Sequence, residues 1–209
     1  MELPTQLYNF LLVKRIGEGG YGEVYKAYNV VNGIPVAIKL FRPPSREIFL
    51  SEISSNAYLS ECANPKSGYV VCIYGAGEYD VNNPKNAAYK EAVTQFSEEM
   101  FDITPSLYRG TRYFIVQELM DTDLSELIDF FNRDEAVWRE FYIENSKYLV
   151  AMLLRGLKDI HQSRVAHQDI KPANILLRVD EEVELLDCLI SLECMREHVI
   201  VKYGDLGLV

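Results

Sequence analysis

Apolar and polar residues alternate at the period of a strand from Tyr8 to Arg42. They do so in three runs, FLLVKRIG, EVYKAYNV and IPVAIKLF, with one glycine-rich interruption. Asn32-Gly33, between the last two runs, is a hairpin signal, so three antiparallel strands are predicted. Pro43-Pro44 closes this stretch, and Ser45 is placed to cap a helix over 46–62. GYVVCIYGAGEYD and RYFIVQELM predict a fourth and a fifth strand. Between them, residues 80–111 are polar and longer than an ordinary connection, so they read as an insertion. Its middle has the pattern of a short amphipathic helix.

After Met120 the pattern becomes helical. Asp123 and Glu126 have the spacing of a capping pair opening DLSELIDFF. NSKYLVAMLLRGLKDIHQ places Leu149, Met152, Leu153, Leu157 and Ile160 on one helical face. RVAHQDIKPANILL follows, then a second insertion at 178–198, then a closing strand in VIVKYGD. Val183, Leu186, Leu189 and Ile190 are spaced for one apolar face, which favours a surface helix there over a docking element or translated non-coding sequence. The expected class is α+β in two lobes. Residues 1–119 form a five-stranded antiparallel sheet with one main helix, residues 120–209 a mostly helical half, and the hinge lies near 117–122.

Composition narrows this reading. Of the 209 residues 48% are hydrophobic and 25% charged, as in a globular chain with a real core. The formal charge of −10 argues against a nucleic-acid surface. A nucleotide remains compatible with it, because a few cations and a metal offset local repulsion. The four cysteines, Cys62, Cys72, Cys188 and Cys194, lack metal-ligand spacing and read as reduced thiols. The N-terminus lacks the basic start and apolar core of a signal peptide, and no apolar run approaches a bilayer span. The expectation is a soluble protein of the cytoplasm or nucleus, with no membrane partner.

The chemistry lies in four places. Gly17, Gly19 and Gly22 in IGEGGYGEV have G-x-G-x-x-G spacing. A dinucleotide site would open a helix at the third glycine, whereas here a strand follows. Glycines between antiparallel strands make a flap whose main chain can approach phosphates. Lys39 in VAIK is either an ordinary solvent-facing strand lysine or, beneath such a flap, a phosphate ligand. In the second case it needs a carboxylate to hold it, and Glu52 in the following helix is the choice. HQDIKPANILL offers Asp169 to accept or orient a hydroxyl proton, Lys171 to neutralise a transferring phosphoryl group, and Asn174 as an amide oxygen for magnesium. Asp205 supplies a second metal ligand. Phosphoryl transfer asks mainly for positioning and charge neutralisation, and these residue types provide both.

These four elements, in this order, closely resemble the motif set of eukaryotic-type protein kinases. The resemblance implies a bilobal kinase fold and the use of ATP and Mg2+. Lys39 would grip the α/β-phosphates, Asp169 would be the catalytic base, and Asn174 and Asp205 would hold magnesium. Lys171 at its place resembles Ser/Thr rather than Tyr kinases. Val24, Ala37 and Leu176 match the positions that sandwich adenine. YFIVQELMDTDLSELI resembles the hinge of mitogen-activated and cyclin-dependent kinases. Gln117 would then be the gatekeeper, main-chain groups of Glu118 and Met120 would meet adenine, and Asp123 would sit near the ribose.

The sequence also departs from that pattern. Gln168 stands where the family has the arginine of His-Arg-Asp, so phosphate-dependent activation of the usual kind is not expected. Leu206 replaces the phenylalanine of Asp-Phe-Gly. Nothing after Val209 corresponds to the activation segment or the helices below it, which leads to the expectation of a partial C-lobe needing a protein partner to cover it. Two functions follow. One is a protein Ser/Thr kinase acting on an unknown protein substrate; the other is a truncated kinase or pseudokinase that binds nucleotide or a partner without catalysis.

Overall fold

The computed structural model describes residues 6–43, 46–59, 68–80, 82–91, 111–133, 144–179 and 183–205. The chain divides into two compact units, residues 1–63 with 72–119 and residues 64–71 with 120–207.

The first unit is built on a seven-stranded sheet in the order β1-β2-β3-β4-β7-β5-β6, with every pairing antiparallel. Its strands are β1 (Gln6–Leu7), β2 (Phe10–Gly19), β3 (Gly22–Asn29), β4 (Pro35–Phe41), β5 (Ile73–Asp80), β6 (Asn83–Glu91) and β7 (Thr111–Gln117). The three N-terminal strands form as their alternation predicts. The hairpin carrying Asn32-Gly33 is closed by hydrogen bonds from Gly33 N to Asn29 O and from Asn29 N to Ile34 O.

The two strands beyond the expected five come from places where the pattern was weak. β1 is too short to show a period, yet its Leu7 is fully buried in the core. β6 arises inside the first insertion, where Asn82 N donates to Asp80 Oδ1 and turns the chain back onto β5. Residues 92–110, the rest of that insertion with its expected short helix, lie outside the described residues, as does the Ser45 cap.

β4 is central and buried on both faces. Val36, Ile38 and Leu40 join Phe10, Tyr25 and Phe114 in one core cluster. On the opposite face Phe41 meets Phe49 and Ile53 of α1 (Arg46–Leu59), together with Tyr113 and Ile115 of β7. Phe49 stacks on Tyr113 at 4.7 Å and meets Phe41 edge-on at 5.5 Å. This packing fixes α1 on the sheet.

The second unit contains a three-stranded sheet, of which the sequence predicts only the closing strand. Its order is β10-β9-β8, from β8 (Thr122–Asp123), β9 (Ile175–Val179) and β10 (Val199–Tyr203). Its longer helices are α2 (Leu124–Arg133) and α3 (Glu144–Gln162). Asp123 caps α2 by accepting from Glu126 N at 2.9 Å, while the Glu126 side chain accepts from the Thr122 hydroxyl. Along α3, Leu149 and Ile160 are buried and Met152, Leu153 and Leu157 half-buried, as their spacing predicts. Gly156 lets this helix lie against its neighbours: a Cβ there would stand 2.8 Å from Tyr69 Cβ and 2.9 Å from Tyr203 Cε2. The Tyr203 hydroxyl donates to Leu153 O at 2.7 Å beside this contact.

The second insertion corrects two expectations. It is not one helix but two short ones, α4 (Leu185–Ile190) and α5 (Leu192–His198), broken at Ser191, whose side chain caps α5 through Cys194 N. Leu189, Cys188 and Met195 are buried, whereas Ile190, placed by periodicity on the apolar face, is exposed. Three of the four cysteines are not reduced thiols either, and the fourth, Cys62, lies outside the described residues. Cys188 and Cys194 form a disulfide, and Cys72 is also disulfide-bonded. In a continuous helix six residues span about 9 Å of axis. The break at Ser191 brings the two Cα atoms to 5.0 Å, within bridging range.

Candidate active site

In the first unit, the alternation that sends Ile38 and Leu40 to one side of β4 turns Lys39 to the side where α1 packs. Lys39 is therefore not an edge lysine. It is 7% exposed, and its Nζ lies 2.6 Å from Oε2 of Glu52, itself 2% exposed. The Phe41 ring is 5.1 Å from the same ammonium. Two buried charges at this separation each supply what the other lost on leaving water. Cross-strand register places Val24 beside Lys39, Gly17 beside Val24, and Gln117 beside Ala37. Gly19 pairs with Gly22 at the β2–β3 turn, so the three glycines border one flap. Glu118 is buried, its N–H donating to Cys72 O at 2.8 Å and its carboxylate accepting from Cys72 N at 3.3 Å. A ligand at this position would have to meet its carbonyl.

The second unit gathers the other candidates. Lys171 and Pro172 lead into a single 3-10 turn, Pro172–Asn174, with proline at its first position, where the missing N–H costs nothing. The turn folds the loop back on itself. Asp169 Oδ2 accepts from Lys171 Nζ at 2.6 Å and from Asn174 Nδ2 at 2.9 Å, and the same amide donates to Asp169 O at 2.8 Å. The Lys171 hydrogen bond, helped by Asn174, holds the Asp169 carboxyl below the usual aspartate range. It is thus a carboxylate near neutrality and a weak base, suited to orienting a hydroxyl and taking its proton late. Met120 is buried, and Leu176 stands beside Asp123 in register. Burial raises the Asp123 carboxyl, whose Oδ1 caps α2.

Asp205 follows Gly204, and the Gly204 N–H donates to Asn174 O at 2.9 Å, so the two candidate metal ligands lie on adjoining main chain. The residue that fastens this arrangement is His167, which stands in the motif but to which sequence assigns no role. It is buried. Its Nε2 bonds Gly204 O at 2.8 Å, its Nδ1 faces Asp169 N at 3.4 Å, and its ring meets Tyr203 edge-on at 5.6 Å. Since a carbonyl only accepts, Nε2 carries the proton and Nδ1 is left as the acceptor. One imidazole thus ties the Asp169 loop to the residue before Asp205. The only signal available in sequence was its place two residues before Asp169. Gln168 and Asp205 adopt left-handed backbone, with φ of 61° and 57°. Such geometry in non-glycine residues costs about 1 kcal/mol or more and clusters at functional sites.

Among the described residues no group of three or more His, Cys, Asp or Glu is arranged to hold a metal. Magnesium does not require one, because it keeps waters and phosphate oxygens as ligands beside one or two protein donors. The donation of Asn174 Nδ2 to Asp169 leaves the amide oxygen as an acceptor, and with the Asp205 carboxylate it is of the hard-oxygen type that magnesium takes. Leu206 and Gly207 lie outside the described residues.

The protein kinase domain family model matches residues 10–202. The chain is 30% identical over 208 residues to mitogen-activated protein kinase KSS1 of Saccharomyces cerevisiae, covering 95% of this chain and 47% of that one. It is 28% identical over 187 residues to mitogen-activated protein kinase 13 of Homo sapiens, covering 89% and 41%. To cyclin-dependent kinase 2 of Caenorhabditis elegans it is 28% identical over 178 residues, covering 85% and 39%. The chain therefore spans less than half the length of these relatives.

Proposed function

This chain belongs to the protein kinase domain family, and from that premise we propose that it carries the ATP- and magnesium-handling part of a protein Ser/Thr kinase. In the proposed reaction a protein hydroxyl attacks the γ-phosphorus of ATP, the bond to the β–γ bridging oxygen breaks, and the hydroxyl proton passes to Asp169. The observation that carries this reading is the closed Asp169–Lys171–Asn174 loop, tied by His167 to the residue before Asp205. In it, Asp169 would orient the hydroxyl and Lys171 would offset charge on the transferring group. Asn174 and Asp205 would hold magnesium, which neutralises the phosphates when bound. Lys39, fixed by Glu52, would bind phosphate oxygens beneath the glycine flap. In the first unit Val24, Ala37, Gln117 and the main chain of Glu118 would contact adenine; in the second, Leu176 and the main chain of Met120 would contact it and Asp123 the ribose.

A protein substrate belongs to the same proposal, as does a cytoplasmic or nuclear setting, where the Cys188–Cys194 disulfide would be an exception among mostly reduced thiols. Among the described residues no helix is long and apolar enough to cross a membrane. Gln168, a neutral side chain, lacks the charge needed to pair with a phosphorylated activation loop. The test is transfer of the γ-phosphate of ATP to a generic basic protein, with Asp169→Asn as control. Transfer lost in the variant supports catalysis. Transfer no greater than the variant's, with magnesium-dependent ATP binding kept, overturns catalysis in favour of a nucleotide-binding protein.

A further inference from the structure

The root of the glycine flap carries a charge cluster that the site above does not use. Glu18 of β2 and Glu23 of β3 stand directly opposite each other in the register. Like charges so placed repel one another, and here they would also repel a polyphosphate approaching the flap. Two guanidinium groups offset them. Arg15 reaches Glu18 Oε2 at 2.8 Å and Glu23 Oε1 at 3.5 Å. Arg42, immediately after β4, ion-pairs with Glu18 and reaches Glu23 Oε1 at 3.4 Å. The other Glu23 oxygen accepts from the Tyr25 hydroxyl at 3.0 Å.

Arg42 differs from Arg15 in also holding main chain. Its Nη1 faces Gly19 O at 3.4 Å on one side of the flap, and its N–H donates to Tyr21 O at 2.9 Å at the tip. An isolated exposed ion pair contributes little. This guanidinium is instead shared between two carboxylates on two strands and is anchored by its own backbone to the segment it steadies. The Glu18 carboxyl is accordingly held below its usual range, first by the hydrogen bond from Arg42 and then by the charge of Arg15.

We propose that Arg42 is a positioning residue for the glycine flap: it clamps β2 to β3 at the root, neutralises Glu18 and Glu23, and so sets the flap's affinity for the triphosphate of a nucleotide. The affinity part rests on the nucleotide-binding reading above, and the clamping part stands apart from it.

The experiment compares wild type, Arg42→Gln, Arg42→Lys and the triple variant Glu18→Gln/Glu23→Gln/Arg42→Gln. Calorimetry reads the binding of Mg-ATP and of adenosine, and hydrogen exchange reads the amides of residues 19–22. Removing one of the two guanidinium groups that offset Glu18 and Glu23 in Arg42→Gln should weaken ATP about three- to tenfold at low salt, and less at high salt. Adenosine, which has no phosphate, should stay within about twofold of wild type, and exchange at 19–22 should rise. Arg42→Lys should recover part of the ATP affinity, and the triple variant most of it, since no carboxylate is left uncompensated. Equal weakening of ATP and adenosine, or no rescue in the triple variant, would overturn the proposal. If wild type binds neither ligand, the nucleotide reading fails by itself, and exchange alone decides the clamp: faster exchange in Arg42→Gln upholds it, unchanged exchange overturns it.

Discussion

Removing the carboxylate of Glu52 should damage this protein far more than removing both members of the Lys39–Glu52 pair. The two groups are 7% and 2% exposed and meet at 2.6 Å. At an effective dielectric of about 20, Coulomb attraction at that distance is on the order of 6 kcal/mol. Desolvation of each ion takes back several kcal/mol, so the pair adds little net stability as a pair. Glu52→Gln takes from the buried Lys39 ammonium the carboxylate that stands 2.6 Å from it, at a cost of about 3–5 kcal/mol. For a chain of this size that lowers the melting temperature by roughly 6–20 °C. Lys39→Met/Glu52→Leu removes both charges while keeping apolar volume among Phe41, Phe49 and Ile53, and should recover most of the loss. Urea denaturation, followed by far-ultraviolet circular dichroism, of wild type, Lys39→Met, Glu52→Leu and the double variant gives four free energies and hence the coupling, with Glu52→Gln measured beside them. A Glu52→Gln cost below about 1 kcal/mol, or a double variant equal to the sum of the singles, would refute the claim that the charges compensate each other in a buried site.

Three further outcomes follow from named contacts. Asp169 should titrate below the usual aspartate value in wild type, and Lys171→Met should move its midpoint upward in a carboxyl-carbon NMR titration; an unmoved midpoint would show that Lys171 is not the cause. Because the folded value is the lower one, any stability from this contact is present above the unfolded value, about 3.9, and is lost as pH falls through the folded value. Gly156→Ala gains about 1 kcal/mol of helix propensity but overpacks Tyr69 and Tyr203 at about 1–3 kcal/mol, so denaturation should show no gain and up to about 2 kcal/mol of loss. Cys188→Ser/Cys194→Ser opens a loop with a sequence separation of 6 and should cost about 2 kcal/mol in urea denaturation without reductant; a midpoint equal to that of wild type would contradict this.

The sequence revealed most where one element carried a long period. β2, β3, β4 and β7 follow from alternation or from continuous apolar runs, and α3 from its 3.6-residue spacing. The Lys39–Glu52 partnership was legible because a lysine in an apolar central strand requires a charge on whatever packs over it. The Asp169 loop was legible because its members are close in sequence. What stayed hidden depends on distant segments or on one local break. Periodicity extended a single helix across Ser191, and only the cap at Cys194 N shows where it stops. The disulfide depends on that break. β6 is specified by an Asp80–Asn82 turn inside a polar stretch whose alternation is weak. His167 and Arg42 act through main-chain carbonyls of other segments, Gly204 and Gly19, and a residue's own neighbours say nothing about such contacts.

The proposed function rests on nucleotide binding that depends on magnesium. Calorimetric titration of the chain with ATP, with and without magnesium, tests it most directly, alongside Lys39→Met and Asp205→Asn. The account predicts ATP binding that strengthens with magnesium in wild type, loses that strengthening in Asp205→Asn, and weakens at least tenfold in Lys39→Met. ATP binding indifferent to magnesium and to both substitutions would contradict it.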